Sequence, residues 1–207
     1  MTTLGVLISG SGTNLQAVLD ASRAGTLTGK IGVVVSNVAT AKGLDRAREA
    51  GVPVAVVDHK SFADRASFDT EIVRVLRAHG VDVVVLAGFM RIVTATLLDA
   101  FPMRVVNVHP ALLPAFPGVH AQAQALAYGV KVSGCTVHFV DAGTDTGPVI
   151  AQSAVPVLEG DDEEALRLRI LAEEHALLPQ VLQLICEGRV HVEAREGGRP
   201  RVKIAPR

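Results

Sequence analysis

The chain has 207 residues, of which 49% are hydrophobic, and its net charge is −1 with only 3% aromatic side chains. This length fits one domain of ordinary to large size. A near-neutral charge and few aromatic residues argue against a nucleic-acid-binding protein. The high apolar content favours a fold whose central strands are buried on both faces.

Short β-branched runs alternate with helical patterns through the first half of the chain. Strands are predicted at residues 4–8, 31–35, 53–57, 81–86 and 105–108, and helices at 14–24, 42–50, 68–79 and 94–100. This alternation predicts an α/β fold of the Rossmann-like kind, with a mostly parallel central sheet and helices on both faces.

A glycine-rich loop, Ser9-Gly10-Ser11-Gly12-Thr13-Asn14, lies between the first strand and the first helix. Backbone N–H groups at such a helix start favour an anion. Leu15 stands where the dinucleotide fingerprint needs its third glycine, and no Lys-Ser/Thr pair follows as in a Walker A loop. The loop therefore favours a phosphate monoester, and the alternative is a tight turn with an ordinary N-cap.

The second half of the chain changes in style. A short helix is predicted at residues 121–128, strands at 134–140 and 149–157, and a long helix at 163–186 that Pro179 is expected to kink or divide. Two runs, 190–195 and 199–204, flank Glu196-Gly197-Gly198 and predict a C-terminal β-hairpin. We expect one domain over 1–207, made of a phosphate-binding βαβ half (1–108), a catalytic half (109–187) and the hairpin (188–207).

The most informative stretch is Asn107-Val108-His109-Pro110, at the end of an apolar run. Side chains at i and i+2 on a strand share a face, so an amide and an imidazole are expected together at a sheet end, where open α/β folds bind ligands. Asp145 lies in a later loop rich in glycine and aspartate. An amide donor, an acid/base and a carboxylate suit attack on a carbonyl, although each residue taken singly fits a structural role.

A metal site is the weaker interpretation of the same polar residues. The candidate ligands would be His109, His120, His138, Asp141 and Asp145, and no HExxH or CxxC spacing supports them. Cys135 and Cys186 are far apart and indicate reduced thiols. With no apolar run long enough for a bilayer and no basic leader at Met1, we expect a cytoplasmic protein.

Four motifs, in order and at matching separations, carry a resemblance to a known family. They are the 8–16 segment with the glycine loop, Leu86-Ala87-Gly88-Phe89-Met90-Arg91-Ile92, Asn107-Val108-His109-Pro110 with Leu112-Leu113-Pro114, and Asp145-Thr146-Gly147-Pro148. The chain closely resembles the phosphoribosylglycinamide formyltransferases, the folate-dependent formyltransferase family of purine synthesis. The resemblance implies transfer of a formyl group from 10-formyltetrahydrofolate, as co-substrate, to the amine of glycinamide ribonucleotide, with no metal.

The resemblance also implies roles for particular residues. It implies a catalytic trio of Asn107, His109 and Asp145. The residues matched to the ribonucleotide site are Gly12, Thr13, Asn14 and Glu174, and those matched to the folate site are Arg65, Met90, Arg91, Ile92, Val93, Asn107, Val140 and Asp141.

Three alternatives stay open on the sequence. A methionyl-tRNA formyltransferase would need a further nucleic-acid-binding domain and a basic surface, which this chain lacks. A 10-formyltetrahydrofolate hydrolase would need no phosphate loop, and a silent folate- or nucleotide-binding module would need no trio. The partners expected are the two small molecules. A homodimer is also open, because a dimer face would account for the apolar excess as well as a buried sheet.

Overall fold

The computed structural model describes residues 1–195 and 198–206. They form two compact units, one comprising Met1–Asn107 and the other beginning at Val108. No helix among these residues is long and apolar enough to cross a membrane.

The first unit is built on parallel strands. Its strands are β1 (Thr3–Ile8), β2 (Lys30–Ser36), β3 (Val54–Val56), β4 (Val83–Leu86) and β5 (Val105–His109), which runs two residues past the unit boundary. Their order is β3-β2-β1-β4-β5, and every neighbouring pair among them is parallel. The helices are α1 (Thr13–Arg23), α2 (Gly43–Glu49), α3 (Arg65–Ala78) and α4 (Ala95–Ala100). The predicted α/β fold with a mostly parallel sheet is confirmed.

The central strands are apolar along their whole length because helices cover a parallel sheet. Val83–Leu86 is buried throughout, and Leu4, Val6, Val34 and Val84 have no exposed surface. Each of the five predicted strands is present, with ends that differ by at most two residues.

Helix α3 begins three residues earlier than predicted. Asp64 accepts a hydrogen bond from the Ser67 backbone N–H at 2.7 Å, and the Ser67 hydroxyl faces the Asp64 backbone N–H in return, so a capping box fixes the start. A 3₁₀ turn at His59–Ser61, capped by Asp58, was not predicted.

The second unit carries α5 (Ala121–Tyr128), β6 (Val132–Phe139), β7 (Val149–Pro156) and α6 (Glu163–Cys186). Strands β6 and β7 pair antiparallel on either side of the aspartate-glycine loop. These elements share a core of Ala125, Cys135, Val155, Leu166 and Ile170. The predicted bounds of both helices match.

Pro179 does not divide α6, and a kink, the other outcome predicted for this proline, stays a prediction. The helix runs unbroken over 24 residues with Pro179 inside it. Proline removes one helical hydrogen bond. Burial of Leu178, Val181 and Leu182 next to the proline supplies packing that offsets this loss.

The C-terminal hairpin consists of β8 (Val190–Arg195) and β9 (Gly198–Ile204), paired antiparallel. Of the predicted turn, Glu196 and Gly197 lie outside the described residues, and Gly198 opens the second strand. The division of the chain into 1–108, 109–187 and 188–207 stays a prediction.

Candidate active site

Strand β5 carries two polar side chains at its end. Asn107 is half-buried and His109 is only 4% exposed, and the two alternate with apolar Val106 and Val108. A strand directs i and i+2 side chains to one face, which is the relation that the sequence predicted for this amide and imidazole.

Both ring nitrogens of His109 face oxygen atoms. Nε2 lies 2.9 Å from the backbone oxygen of Phe116, and Nδ1 lies 3.4 Å from Oδ2 of Asp145. A carbonyl and a carboxylate can only accept hydrogen bonds. Each ring nitrogen of His109 is therefore placed to donate to the oxygen that it faces.

Asp145 is held by its own backbone and by a neighbouring turn. Its φ of 53° lies in the left-handed region, which Asp adopts more readily than most residues. Its Oδ2 accepts a 2.7 Å hydrogen bond from the Gly118 backbone N–H, and its Oδ1 lies 3.7 Å from Nε2 of His138. The carboxylate therefore lies between two imidazoles, and the structure brings Asp145 and His109 together as the sequence predicted.

His138, on β6, is the unexpected member of this cluster. Its Nδ1 lies 2.8 Å from the backbone oxygen of Phe139 and must donate, because a carbonyl can only accept. Burial of the ring lowers the pKa of His138, and the carbonyl contact and the charge of Asp145 offset this only in part. At neutral pH His138 is uncharged, and its Nε2 is in the acceptor form.

The proline loop that follows His109 is pinned to β6 by a buried hydroxyl. Thr136 donates to the Ala111 backbone oxygen at 2.6 Å and accepts from the Leu113 N–H at 3.0 Å. The Gln152 amide donates both to the Leu113 oxygen and to the Thr136 hydroxyl. This network fixes the loop that supplies the Phe116 and Gly118 backbone groups.

The aspartate-glycine loop is closed on itself by Asp141. This carboxylate accepts from the Thr146 hydroxyl at 2.6 Å and from the Gly143 N–H at 3.1 Å. Val140, the other folate residue implied here, is half-buried at the end of β6. The loop is thus ordered by local bonds around Asp145.

In the first unit, the glycine loop is shaped by close backbone contact. Gly12 has φ +70°, and a Cβ on it would lie 2.5 Å from the Gly43 Cα, so a side chain does not fit. Gly12 caps α1 without any side-chain hydrogen bond, unlike the ordinary N-cap that was the alternative. Arg46 donates from Nε to the Ser11 oxygen at 2.9 Å, which places a cation beside the loop.

The glycine loop and the segment after β4 share one serine. The Ser9 hydroxyl accepts from the Met90 N–H at 2.8 Å and donates to Asn37 Oδ1 at 2.6 Å. Met90 and Ile92 are 73% and 65% exposed. Two exposed apolar side chains on a fixed backbone form a surface suited to a flat ligand.

Arg91 lies against the aromatic cluster beneath this segment. Its guanidinium carbon is 5.9 Å from the centre of the Phe68 ring, and its buried Nε has no hydrogen-bond acceptor among the described residues. Arg65, the other implied folate arginine, is the exposed first residue of α3.

Asp69 anchors the C-terminal end of the segment that follows β4. Only 1% of it is exposed, and it accepts from the Thr94 N–H at 2.6 Å and from the Thr94 hydroxyl at 2.7 Å. Burial raises the pKa of Asp69, and the two Thr94 bonds and the charge of Arg91 oppose the rise. The segment is therefore fixed by Ser9 at one end and by Asp69 at the other.

Glu174 lies on the inner face of α6 and is only 6% exposed. It is close enough to Cys135 for its charge to add to the effect of burial, and together they raise the pKa of that thiol to about 12. Cys135 is therefore a thiol at neutral pH and no nucleophile. Among the residues that the structure describes, no group of His, Cys, Asp and Glu is arranged to hold a metal ion.

The fold and these contacts define an α/β enzyme of acyl or formyl transfer, with a carboxylate in contact with the imidazole that ends a strand, and an amide two positions earlier on that strand. The formyl transferase family model matches residues 3–182. The chain belongs to the formyl transferase family.

Relatives and solved structures agree with this assignment. The chain is 43% identical to the phosphoribosylglycinamide formyltransferase of Escherichia coli, with 89% of this chain and 87% of that protein covered. The glycinamide ribonucleotide transformylase 1 structure from Symbiobacterium toebii superposes with a TM-score of 0.96 at 55% identity, covering 100% of this chain and 95% of that one. The trifunctional purine biosynthetic protein adenosine-3 of Drosophila melanogaster is 49% identical over 88% of this chain, which spans only 14% of that protein's length.

Sequence reasoning missed three members of these sites. His138 was considered only as a possible metal ligand, although it lies seven residues before Asp145 and shares a strand face with Thr136. Arg46 and Asp69 gave no local signal, because their partners, Ser11 and Thr94, are 35 and 25 residues away along the chain.

Proposed function

We propose that this protein transfers the formyl group of 10-formyltetrahydrofolate to the amine of phosphoribosylglycinamide, a step of purine synthesis. The observation that carries the proposal is the position of the Asp145 carboxylate between two imidazoles: His109, whose Nε2 contacts the Phe116 oxygen, and His138, whose pKa is lowered by burial. The relatives' names agree with this reaction.

In this proposal Asn107 and His109 stabilise the charge that develops on the formyl oxygen. The substrate amine forms a C–N bond to the formyl carbon, and the electron pair of the C=O bond moves to oxygen. The Asn107 amide would donate to that oxygen, and so would the His109 Nε2–H in exchange for its contact with the Phe116 carbonyl. Collapse of the oxyanion breaks the bond to the folate nitrogen, which leaves with a proton. Removing one such donor typically costs on the order of 10²–10³ in turnover.

Asp145 and His138 are suited to the proton that the amine loses. Asp145 keeps the His109 imidazolium in place by charge, and the acceptor-form Nε2 of His138 lies 3.7 Å from the same carboxylate. One imidazole that donates and one that accepts let a proton leave the amine while another reaches the folate nitrogen. No activated nucleophile is needed, because the carrier already holds a reactive formyl group.

The first unit is suited to hold both substrates. The uncapped start of α1 at Gly12, Thr13 and Asn14, with Arg46 beside it, fits a phosphate group. In the second unit, Glu174 is the residue implied to contact the ribonucleotide.

The folate co-substrate fits the segment from Met90 to Val93. Exposed Met90 and Ile92 offer an apolar surface, backbone edges are available between them, and Arg91 has a buried Nε with no acceptor among the described residues. Arg65, Val140 and Asp141 complete the proposed folate contacts.

A formyl-transfer assay with both substrates, followed by the absorbance of the folate product, tests the proposal. Wild-type protein should give one formylated amine per folate consumed, and His109→Ala should lose about 10²-fold or more in kcat. Folate consumption without amine formylation would instead indicate a hydrolase. Ligand binding without either reaction would indicate a silent binding module.

The proposal also covers the cellular compartment and the oligomeric state of the enzyme. Cys135 and Cys186 form no disulfide among the described residues, which agrees with a reducing cytoplasm. A homodimer stays a prediction that sedimentation equilibrium would decide.

A further inference from the structure

A cavity of about 650 Å³ lies in the second unit, between the C-terminal hairpin and the aspartate-glycine loop. Its apolar wall includes Leu113, Pro148 and Val202. Its charged residues are three arginines of the hairpin (Arg195, Arg199 and Arg201) and two carboxylates of the loop (Asp141 and Asp145).

The three arginines have no partner within the part of the chain that the structure describes. Arg201 stands opposite Glu193 in the β8–β9 register, but the Glu193 carboxylate binds Lys203 at 2.8 Å. Apart from the backbone pairing of the hairpin, no hydrogen bond or ion pair joins the side chains of Arg195, Arg199 or Arg201 to any described residue. Like charges gathered around one cavity repel one another, so their arrangement favours an anionic occupant.

The two carboxylates of the cavity do not neutralise these arginines. Asp141 is bound by the Thr146 hydroxyl and the Gly143 N–H, and Asp145 is bound by the Gly118 N–H and lies 3.4 Å from His109. Neither carboxylate forms an ion pair with these arginines, and the three arginines outnumber the two carboxylates, so the cavity lining keeps a net positive charge. The guanidinium groups remain available to a ligand.

We propose that this cavity, walled by Arg195, Arg199 and Arg201, is an anion-binding site for a ligand that carries two or more carboxylate or phosphate groups. A guanidinium group can form bidentate hydrogen bonds with a carboxylate or a phosphate. The apolar wall can contact the hydrocarbon part of the ligand that lies between its charged groups. Two sources supply such groups: the glutamyl carboxylates of the folate co-substrate, or a separate small polyanion. The first source rests on the proposed function, and the site itself does not.

Titration calorimetry at low salt tests the site without any turnover. The probes are inorganic pyrophosphate and tri-γ-glutamate, added to the full chain. We expect saturable binding of at least one probe, and at least a ten-fold loss of its affinity in the Arg199→Gln/Arg201→Gln double variant. Lys131→Gln removes an exposed cation of the same unit that binds Glu159 outside the cavity, so it is the control and should keep the affinity within two-fold.

The site is refuted if neither probe binds saturably, or if the double variant binds as tightly as the Lys131→Gln control. Unfolding temperatures of all variants show whether a lost affinity reflects a lost fold. Because Arg199 and Arg201 are exposed, we expect these temperatures to be unchanged. Arg195→Gln, on the other strand of the hairpin, gives an independent variant and should weaken the same probe.

Steady-state kinetics then distinguishes the two sources. If the folate tail occupies the cavity, formyl-folate with three glutamyl groups should have a lower KM than the monoglutamyl form in wild-type protein, and the double variant should abolish this difference. If a separate polyanion occupies it, both forms should have the same KM while the calorimetric result holds. Wild-type turnover tests the proposed function separately, so failure of one proposal does not resemble failure of the other.

Discussion

Replacing Asp145 by Asn is the most direct test of the two-histidine cluster. The amide oxygen of Asn can still accept the 2.7 Å hydrogen bond from the Gly118 N–H, so the loop should keep its shape. What is lost is the negative charge 3.4 Å from the Nδ1 of His109. At that distance two unit charges attract by about 5 kcal/mol for an effective dielectric constant of 20, before the cost of removing them from water.

The net effect is smaller, because hydrogen bonds to charged groups contribute about 1.5–3 kcal/mol. If that contribution serves the transition state, kcat should fall roughly ten- to 150-fold, since 1.36 kcal/mol corresponds to ten-fold in rate. Saturating both substrates in the absorbance assay separates this fall from a change in KM.

The contrasting variant is Asp141→Asn, in the same loop. Asp141 binds only loop groups and is a proposed folate contact, so its loss should raise the KM for folate more than it lowers kcat. A kcat of Asp145→Asn within three-fold of wild type, at an unchanged unfolding temperature, would refute the role given to the carboxylate.

Three further variants test other contacts. Gly12→Ala should lower stability by about 1 kcal/mol or more and raise the KM for the ribonucleotide, because of positive φ and backbone crowding, whereas Gly10→Ala should do neither in the same melts and assays. Asp69 has a pKa raised by burial, so its contribution to stability falls as pH rises from about 3.8 through the folded-state pKa; urea unfolding of Asp69→Asn across that range should lack this fall. Asp161 has a pKa lowered to about 2, chiefly by the Arg169 hydrogen bond, so Asp161→Asn should be destabilised above pH 3.8, and its difference from wild type should vanish as pH falls through 2.

The strands and helices were predictable because each depends on a local pattern. Buried parallel strands appear as continuous β-branched runs, and the acidic start of α6 at Glu163 and Glu164 marks its first turn. The start of α3 was predicted late because apolar spacing, rather than the Asp64–Ser67 capping box, was used to place it. The helix continues through Pro179 because tertiary packing can offset one lost helical bond, which no local pattern shows.

The site was predictable only in part. Asn107, His109 and Asp145 belong to short motifs, and the structure brings Asp145 to His109 across 36 residues. To predict that His138 lies beside Asp145, one would have to know that β6 ends next to the Asp145 loop. Its environment, and so its neutral state, arises from burial that no local pattern encodes.

The two histidines beside Asp145 differ in their surroundings. His109 has an oxygen at each ring nitrogen, the Phe116 carbonyl on one side and the Asp145 carboxylate on the other. His138 donates its one N–H hydrogen to the Phe139 carbonyl, and burial of the ring, which lowers its pKa, opposes a second proton. A single carboxylate thus lies next to one imidazole that faces only acceptors and one imidazole whose Nε2 can itself accept. A formyl transfer needs both a donor and an acceptor, because the amine loses a proton as the folate nitrogen gains one, and this difference between the two rings arises from burial and hydrogen bonding.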